Sequence, residues 1–326
     1  MKTKLDHFIS PSLFRTSVYA LLGIILWSVT FIGSNLSWGS AFNEILLLPV
    51  NGTDIRNNVI SLILTLINSI LISQLVVRFN LANIRTLLPF FIFFFLIISW
   101  EPCHAIYQSH IALTLFILAL FQLFDIHHDP RPVEKIFLGT LLLGTAGLFL
   151  NELIFIVPVC WLGFVIFQCF SLRTFLSSLL GLICPWIIYS AVYYFIFPDI
   201  SFQDIYHYKP EWGFSLTGLS IGSIIYIAAL SIILIISVIK TYIEFHTNTN
   251  TVRKTFNFIV VLLLFFILVS SLQSQITSSF TPFIALCYTL LVIQSFLQKQ
   301  GRYSTIIFIA FCILNLLYII YNLIVQ

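Results

Sequence analysis

Eleven stretches of this chain contain no Asp, Glu, Lys or Arg: roughly 17–33, 58–77, 86–99, 109–124, 136–150, 153–170, 174–197, 216–239, 255–272, 282–297 and 303–325. A membrane-spanning helix needs about 20 mostly apolar residues. The runs are continuous rather than alternating, which argues against a transmembrane β-barrel. Composition excludes the other classes. Only 8% of the residues are charged and 60% are hydrophobic, whereas soluble domains carry about 25% charged residues. So few charges cannot cover a water-facing surface, and so apolar a chain does not stay disordered. The predicted fold is all-α: a polytopic transmembrane helical bundle of about 11 spans, forming one integral membrane domain over 1–326.

Four runs are short: 86–99, 109–124, 136–150 and 282–297. Each is predicted either to re-enter or to extend into its polar flanks. Residues 136–170 are too long for one span and are interrupted by Asn151 and Glu152, so a tight helical hairpin is predicted there.

The basic residues give an independent test, because cytoplasmic loops are enriched in Lys and Arg. With the N-terminus inside and sides alternating, the inner segments hold Lys2, Lys4, Arg15, Arg78, Arg85, Arg131, Lys135, Arg173, Lys240, Arg253, Lys254, Lys299 and Arg302. The outer side keeps Arg56 and Lys209, beside Glu44, Asp54, Glu101, Glu152, Asp199, Asp204 and Glu211. Two bases and seven acids leave the outer side at −5; thirteen bases and five acids put the inner side at +8. Dropping one span would scramble this separation downstream, so the predicted topology is N-in and C-out. Basic inner loops suit anionic lipid headgroups and do not imply nucleic acid.

Lys2 and Lys4 ahead of an apolar run resemble a signal peptide; with ten further spans behind it, an uncleaved anchor is predicted. The six cysteines form no close pair, and five lie within spans, where Cys acts as a small hydrophobe. No disulfide framework is predicted.

The longest loops are about 34–57 and 198–215 outside, and 125–135 and 240–254 inside. In the first, residues 41–49 read as a short interfacial helix ended by Pro49 and Gly52. The second holds Tyr206, Tyr208, Lys209 and Trp212. Inside, His127, His128 and Asp129 read as a solvated turn that Pro130 and Pro132 make rigid. Pro185 lies mid-span, where it removes a backbone hydrogen bond and favours a kink or a packing contact.

Asp54 and Arg56 stand just before the second span, with Glu44 upstream. A carboxylate at a dry membrane edge can serve as a general base, because desolvation raises its pKa. Arg56 and Lys209 are the outer cations able to stabilise a phosphate leaving group. The competing reading is a solvated loop with an incidental ion pair. Glu152 at a hairpin tip either reaches water or contacts substrate. Glu101, Cys103, His104 and His110 are zinc-type ligands. Pro102 breaks their helical spacing and no second cluster completes a tetrahedron, so neither metal nor cofactor is predicted. Asn68, Gln74 and Asn315 are the main buried amides. Acids at mid-span, the usual mark of an ion-coupled transporter, are missing from all eleven runs.

Residues 137–149, rich in glycine, continue to Trp161, Arg173, Gly181 and Pro185. The stretch over about 80–190 resembles a family of uncharacterised multi-pass bacterial inner-membrane proteins, which implies a bacterial inner (cytoplasmic) membrane location but no activity. The same pattern is similar to the membrane core of GT-C glycosyltransferases, which take sugars from polyprenyl-phosphate donors at the outer face. That resemblance implies an acid of the first outer loop, Asp54 or Glu44, as catalytic. Arg56 and Lys209 would hold the lipid phosphate, and Tyr206, Tyr208, Trp212 and Glu152 would contact sugar or acceptor. No adjacent acidic pair follows the first span, a departure from that family. Two other functions fit the same composition: a non-enzymatic scaffold of an envelope or secretion complex, and a lipid or small-molecule transporter.

The topology is testable by sided labelling. An impermeant maleimide added to intact cells should modify Lys209→Cys and leave Arg131→Cys untouched; the opposite pattern would invert the orientation.

Overall fold

A computed structural model describes residues 13–33, 54–82, 86–104, 106–126, 132–196, 220–243, 249–272, 277–297 and 302–325. These form α1 (Leu13–Gly33), α2 (Asp54–Arg78), α3 (Leu88–Ser99), α4 (Tyr107–Asp125), α5 (Pro132–Phe149), α6 (Val157–Ile166), α7 (Leu172–Ile196), α8 (Ile221–Ile243), α9 (Asn250–Leu272), α10 (Thr277–Leu297) and α11 (Arg302–Val325). The eleven helices correspond one for one to the eleven apolar runs, and the described residues contain no strand. The protein is an all-α polytopic bundle. Among the described residues, eight helices are long and apolar enough to cross a membrane.

Three of the four short runs extend into their flanks, as α4, α5 and α10; α3 remains at 12 residues. The sixth run departs from the expected 153–170 span. Asn151–Ile156 is a tight 3-10 turn, and α6 has only 10 residues. Proline explains its start: Pro158 sits in the first turn of α6, where its missing N–H breaks no helical bond. Its end is a left-handed residue, Gln168 at φ 60°. There the Cys169 N–H donates back to the Phe164 carbonyl at 3.0 Å and closes the last turn. Asn80, at φ 47°, ends α2 the same way, with Leu81 N–H on the Val76 carbonyl at 3.1 Å.

α10 is the centre of the bundle. It is 89% buried over Ser279–Phe296, and α3, α4, α8, α9 and α11 surround it. Phe116 of α4 meets Phe266 of α9 and Phe283 of α10 edge to face, at 5.6 and 5.5 Å between ring centres. α7 and α8 are the least buried of the eight long helices, and turn Leu180, Ile187, Ile225 and Ile232 outward, as lipid-facing helices do.

α5 and α7 lie closest. A Cβ on Gly144 would stand 2.5 Å from the Leu182 carbonyl oxygen and 3.1 Å from Pro185 Cγ. One on Gly181 would collide with the Thr140 hydroxyl and stand 2.6 Å from the Phe137 carbonyl oxygen. Small residues let two backbones touch where the hydrophobic effect gives no drive for helix association. Pro185 therefore packs onto Gly144.

Residues assigned to one side by the basic-residue rule meet one another. Arg78, at the end of α2, bonds Asp125 at the end of α4 at 2.6 Å, and Lys135 near the start of α5 approaches the same carboxylate at 3.5 Å. Lys240 donates to the Ser295 carbonyl at 2.6 Å, and Lys254 to Gln168 Oε1 at 2.9 Å. All lie at the helix ends that the rule assigns to the inner side.

Gly181→Ala should destabilise the α5–α7 pair by about 1–3 kcal/mol through overpacking. Gly147→Ala, whose Cβ meets its nearest neighbours at 3.6 Å, should be close to neutral. Melting temperatures in one detergent compare the two; equal values would refute the close-packing account.

Candidate functional site

Three buried polar groupings lie toward the helix ends that the basic-residue rule assigns to the outer side. The first gathers around Asn315 of α11. Its Oδ1 accepts from the Ser99 hydroxyl at 2.9 Å and from the Tyr226 hydroxyl at 2.8 Å, while its Nδ2 donates to the Phe311 carbonyl at 2.7 Å. One amide thus ties α3 and α8 to α11. Tyr226 and Tyr318 stack at 4.0 Å and 6°. Trp100 lies nearly parallel to both, at 6.3 and 6.0 Å. The Tyr318 and Ser223 hydroxyls are 3.1 Å apart. The Trp100 indole N–H and the Tyr288 hydroxyl are buried with no hydrogen-bond partner. The cluster combines apolar ring faces, a fixed amide and spare donors, which are the parts a neutral ring bearing oxygen acceptors requires.

The second runs between α2 and α4. Asn58, Ser61, Thr65 and Asn68 recur at helical spacing and are all buried. Thr65 lies 3.4 Å from His110 Nδ1, Asn68 Nδ2 donates to the His110 carbonyl at 3.1 Å, and Thr114 donates to Asn68 Oδ1 at 2.8 Å. His110 Nε2 bonds the Cys103 carbonyl and His104 Nε2 the Ile97 carbonyl, each at 3.1 Å. A carbonyl only accepts, so both rings carry their proton on Nε2. His104 also stacks on Trp27 at 3.8 Å. Cys103, His104 and His110 thus form a packed connection between α3 and α4. Among the described residues no three His, Cys, Asp or Glu are grouped to hold a metal.

The third is Asn151–Glu152, in the connection between α5 and α6. It does not reach water: Asn151 is 4% exposed and Glu152 2%. Both amide atoms of Asn151 and Oε2 of Glu152 have no partner. Burial raises the Glu152 carboxyl above the ordinary carboxylate range.

Of the other expected site residues, Asp54 opens α2 and Arg56 follows in its first turn; their side chains lie outside the described residues. So do Glu44, Tyr206, Tyr208, Lys209 and Trp212, the expected interfacial helix at 41–49 and the His127–Asp129 turn. Of the three expected buried amides, Asn68 and Asn315 are buried. Gln74 is exposed; it lies six residues beyond Asn68, which turns it to the opposite face of α2. The aromatic members Trp100, Tyr226 and Tyr318 were not foreseen. Trp100 follows the last residue of its run, and Tyr226 and Tyr318 lie well within theirs, so the apolar runs alone do not single them out.

Compared with protein-family models, with curated proteins and with solved structures, the chain matches none.

Asn315→Leu would leave the Tyr226 hydroxyl without its acceptor, while the Ser99 hydroxyl keeps the Phe95 carbonyl at 2.8 Å. It should cost about 1–3 kcal/mol, read as a lower melting temperature. Tyr226→Phe removes one donor and should cost less. If Asn315→Leu melted with the wild type, the amide would not be the tie described.

Proposed function

We propose that this membrane protein handles a polyprenyl-phosphate-linked sugar at the outer face, as a GT-C-like glycosyltransferase of envelope glycans. One observation supports it: the amide–aromatic cluster of Asn315, Tyr226, Tyr318 and Trp100 lies away from the helix ends that carry the described ion pairs, and the basic-residue rule reads those ion-paired ends as inner. A glycosyl group presented from the outer leaflet would meet ring faces and amide donors there.

In the reaction, an acceptor hydroxyl oxygen attacks the anomeric carbon as the bond from that carbon to the phosphate oxygen breaks. Polyprenyl phosphate leaves, and the acceptor proton passes to a carboxylate of the first outer loop, Asp54 or Glu44. Arg56 and Lys209 balance the charge developing on the phosphate. Tyr206, Tyr208 and Trp212 contribute ring faces to the sugar or acceptor.

The test is genetic and chemical together. Asp54→Asn or Glu44→Gln should abolish one surface glycan, measured by mass spectrometry of released glycans, with normal amounts of protein in the membrane. Unchanged glycans in the double variant would exclude the catalytic assignment.

A further inference from the structure

Two consecutive side chains, Asn151 and Glu152, leave three polar atoms buried with no hydrogen-bond partner: Nδ2, Oδ1 and Oε2. Each such atom costs about 1–3 kcal/mol, so structural packing alone is a poor explanation for three in adjacent residues. Their depth is also unusual. Gly144 of α5 lies against Leu182 and Pro185 of α7, and Gly147 against Trp186, so the helices run parallel. α7 continues ten residues beyond Trp186 to Ile196, about 15 Å, whereas α5 ends at Phe149. The Asn151–Glu152 turn therefore lies beneath the outer end of α7. The half-buried Trp186 indole borders the same end: a Cβ on Gly147 would stand 3.6 Å from both Trp186 Cζ2 and Ile154 Cγ1.

We infer that Asn151 and Glu152, flanked by the Trp186 indole, bind a neutral polyhydroxyl ring, the sugar of a membrane lipid. An amide and a carboxyl side by side offer donors and acceptors together, and a hydroxyl satisfies either. An anion would oppose the carboxyl. A metal would need a third ligand, and among the described residues no such group exists. The apolar face of a sugar packs on an indole. The turn itself is 3-10, with poorer hydrogen bonds than an α-helix, and Ile154 and Phe155 on it are exposed, so a small movement of the turn would uncover the two side chains.

The inference rests on the proposed sugar handling and is tested apart from it. The full chain in nanodiscs is offered polyprenyl-phosphate glucose, monoglucosyl diacylglycerol and free maltose, with bound lipid or sugar counted by native mass spectrometry. The wild type should hold one or both glucolipids and not maltose; which lipid is held identifies the source. Asn151→Ala and Glu152→Ala should each weaken binding about ten-fold, the loss of one buried hydrogen-bonding group. Glu152→Gln, still donor and acceptor, should lose less than about three-fold. Gly147→Leu leaves both polar residues in place and should obstruct the space beside Trp186, so it stands in if the alanine variants do not fold. Wild-type binding that survives in all these variants overturns this site and leaves the proposed function intact. A wild type that binds neither glucolipid overturns both.

Discussion

Lipid offers no hydrogen-bond partner, and every other feature of this bundle follows from that. Each helix satisfies its own backbone, so the chain is helical wherever it crosses. What remains are side chains, and hydroxyls make the commonest local arrangement. Thr65, Ser69, Thr140 and Thr289 each donate to the carbonyl four residues back, at 2.7–2.8 Å. Such residues are buried without needing a neighbour. Asn315 differs, since it bonds Tyr226 and Ser99 on other helices. It is therefore the kind of group that fixes which helices meet.

Close approach of helices has a separate cause. Between two apolar surfaces in lipid there is little hydrophobic gain, so contact area and backbone proximity decide. The Gly144–Pro185 and Gly181–Thr140 contacts bring α5 against α7. Gly163 of α6 does the same for α9, because a Cβ there would meet the Phe258 ring. The glycine-rich stretch of α5 is thus a packing surface, and α7, held from one side, keeps its other face for lipid.

Much of this was legible in the sequence because the membrane enforces simple rules. Uncharged run length fixed the helix count, and the segregation of Lys and Arg was echoed by the Arg78–Asp125–Lys135 grouping. Proline and left-handed termini were harder to weigh. Pro158 and Gln168 cut the sixth run to ten residues, although its hydropathy alone predicts a full span. Burial at loops was not legible at all. Glu152 follows the end of an apolar run, where a carboxylate ordinarily reaches water, yet it is 2% exposed. The turn that carries it packs on α5 and α6, the helices on either side of it, and how a turn folds back on its neighbours is a tertiary property. Gln74 failed in the opposite direction, because hydropathy reports depth in the membrane and not which face looks inward.

The two sides of the protein use polar groups in different ways. At the end read as inner, Arg78 and Asp125 are 56% and 23% exposed, so their ion pair is worth at most about 1 kcal/mol. They anchor helix ends among headgroups and tolerate change. Toward the other end, neutral groups are buried, and several lack partners: Asn58, Ser61, Ser109 and Asn151 among them. Burial without partners is destabilising, and a bundle with apolar alternatives at each position has no packing reason to keep such groups. Such groups also occur toward the opposite end, at Ser237 and Gln294, so it is the pairing of Asn151 with Glu152 in adjacent residues, and not their number, that sets the proposed site apart.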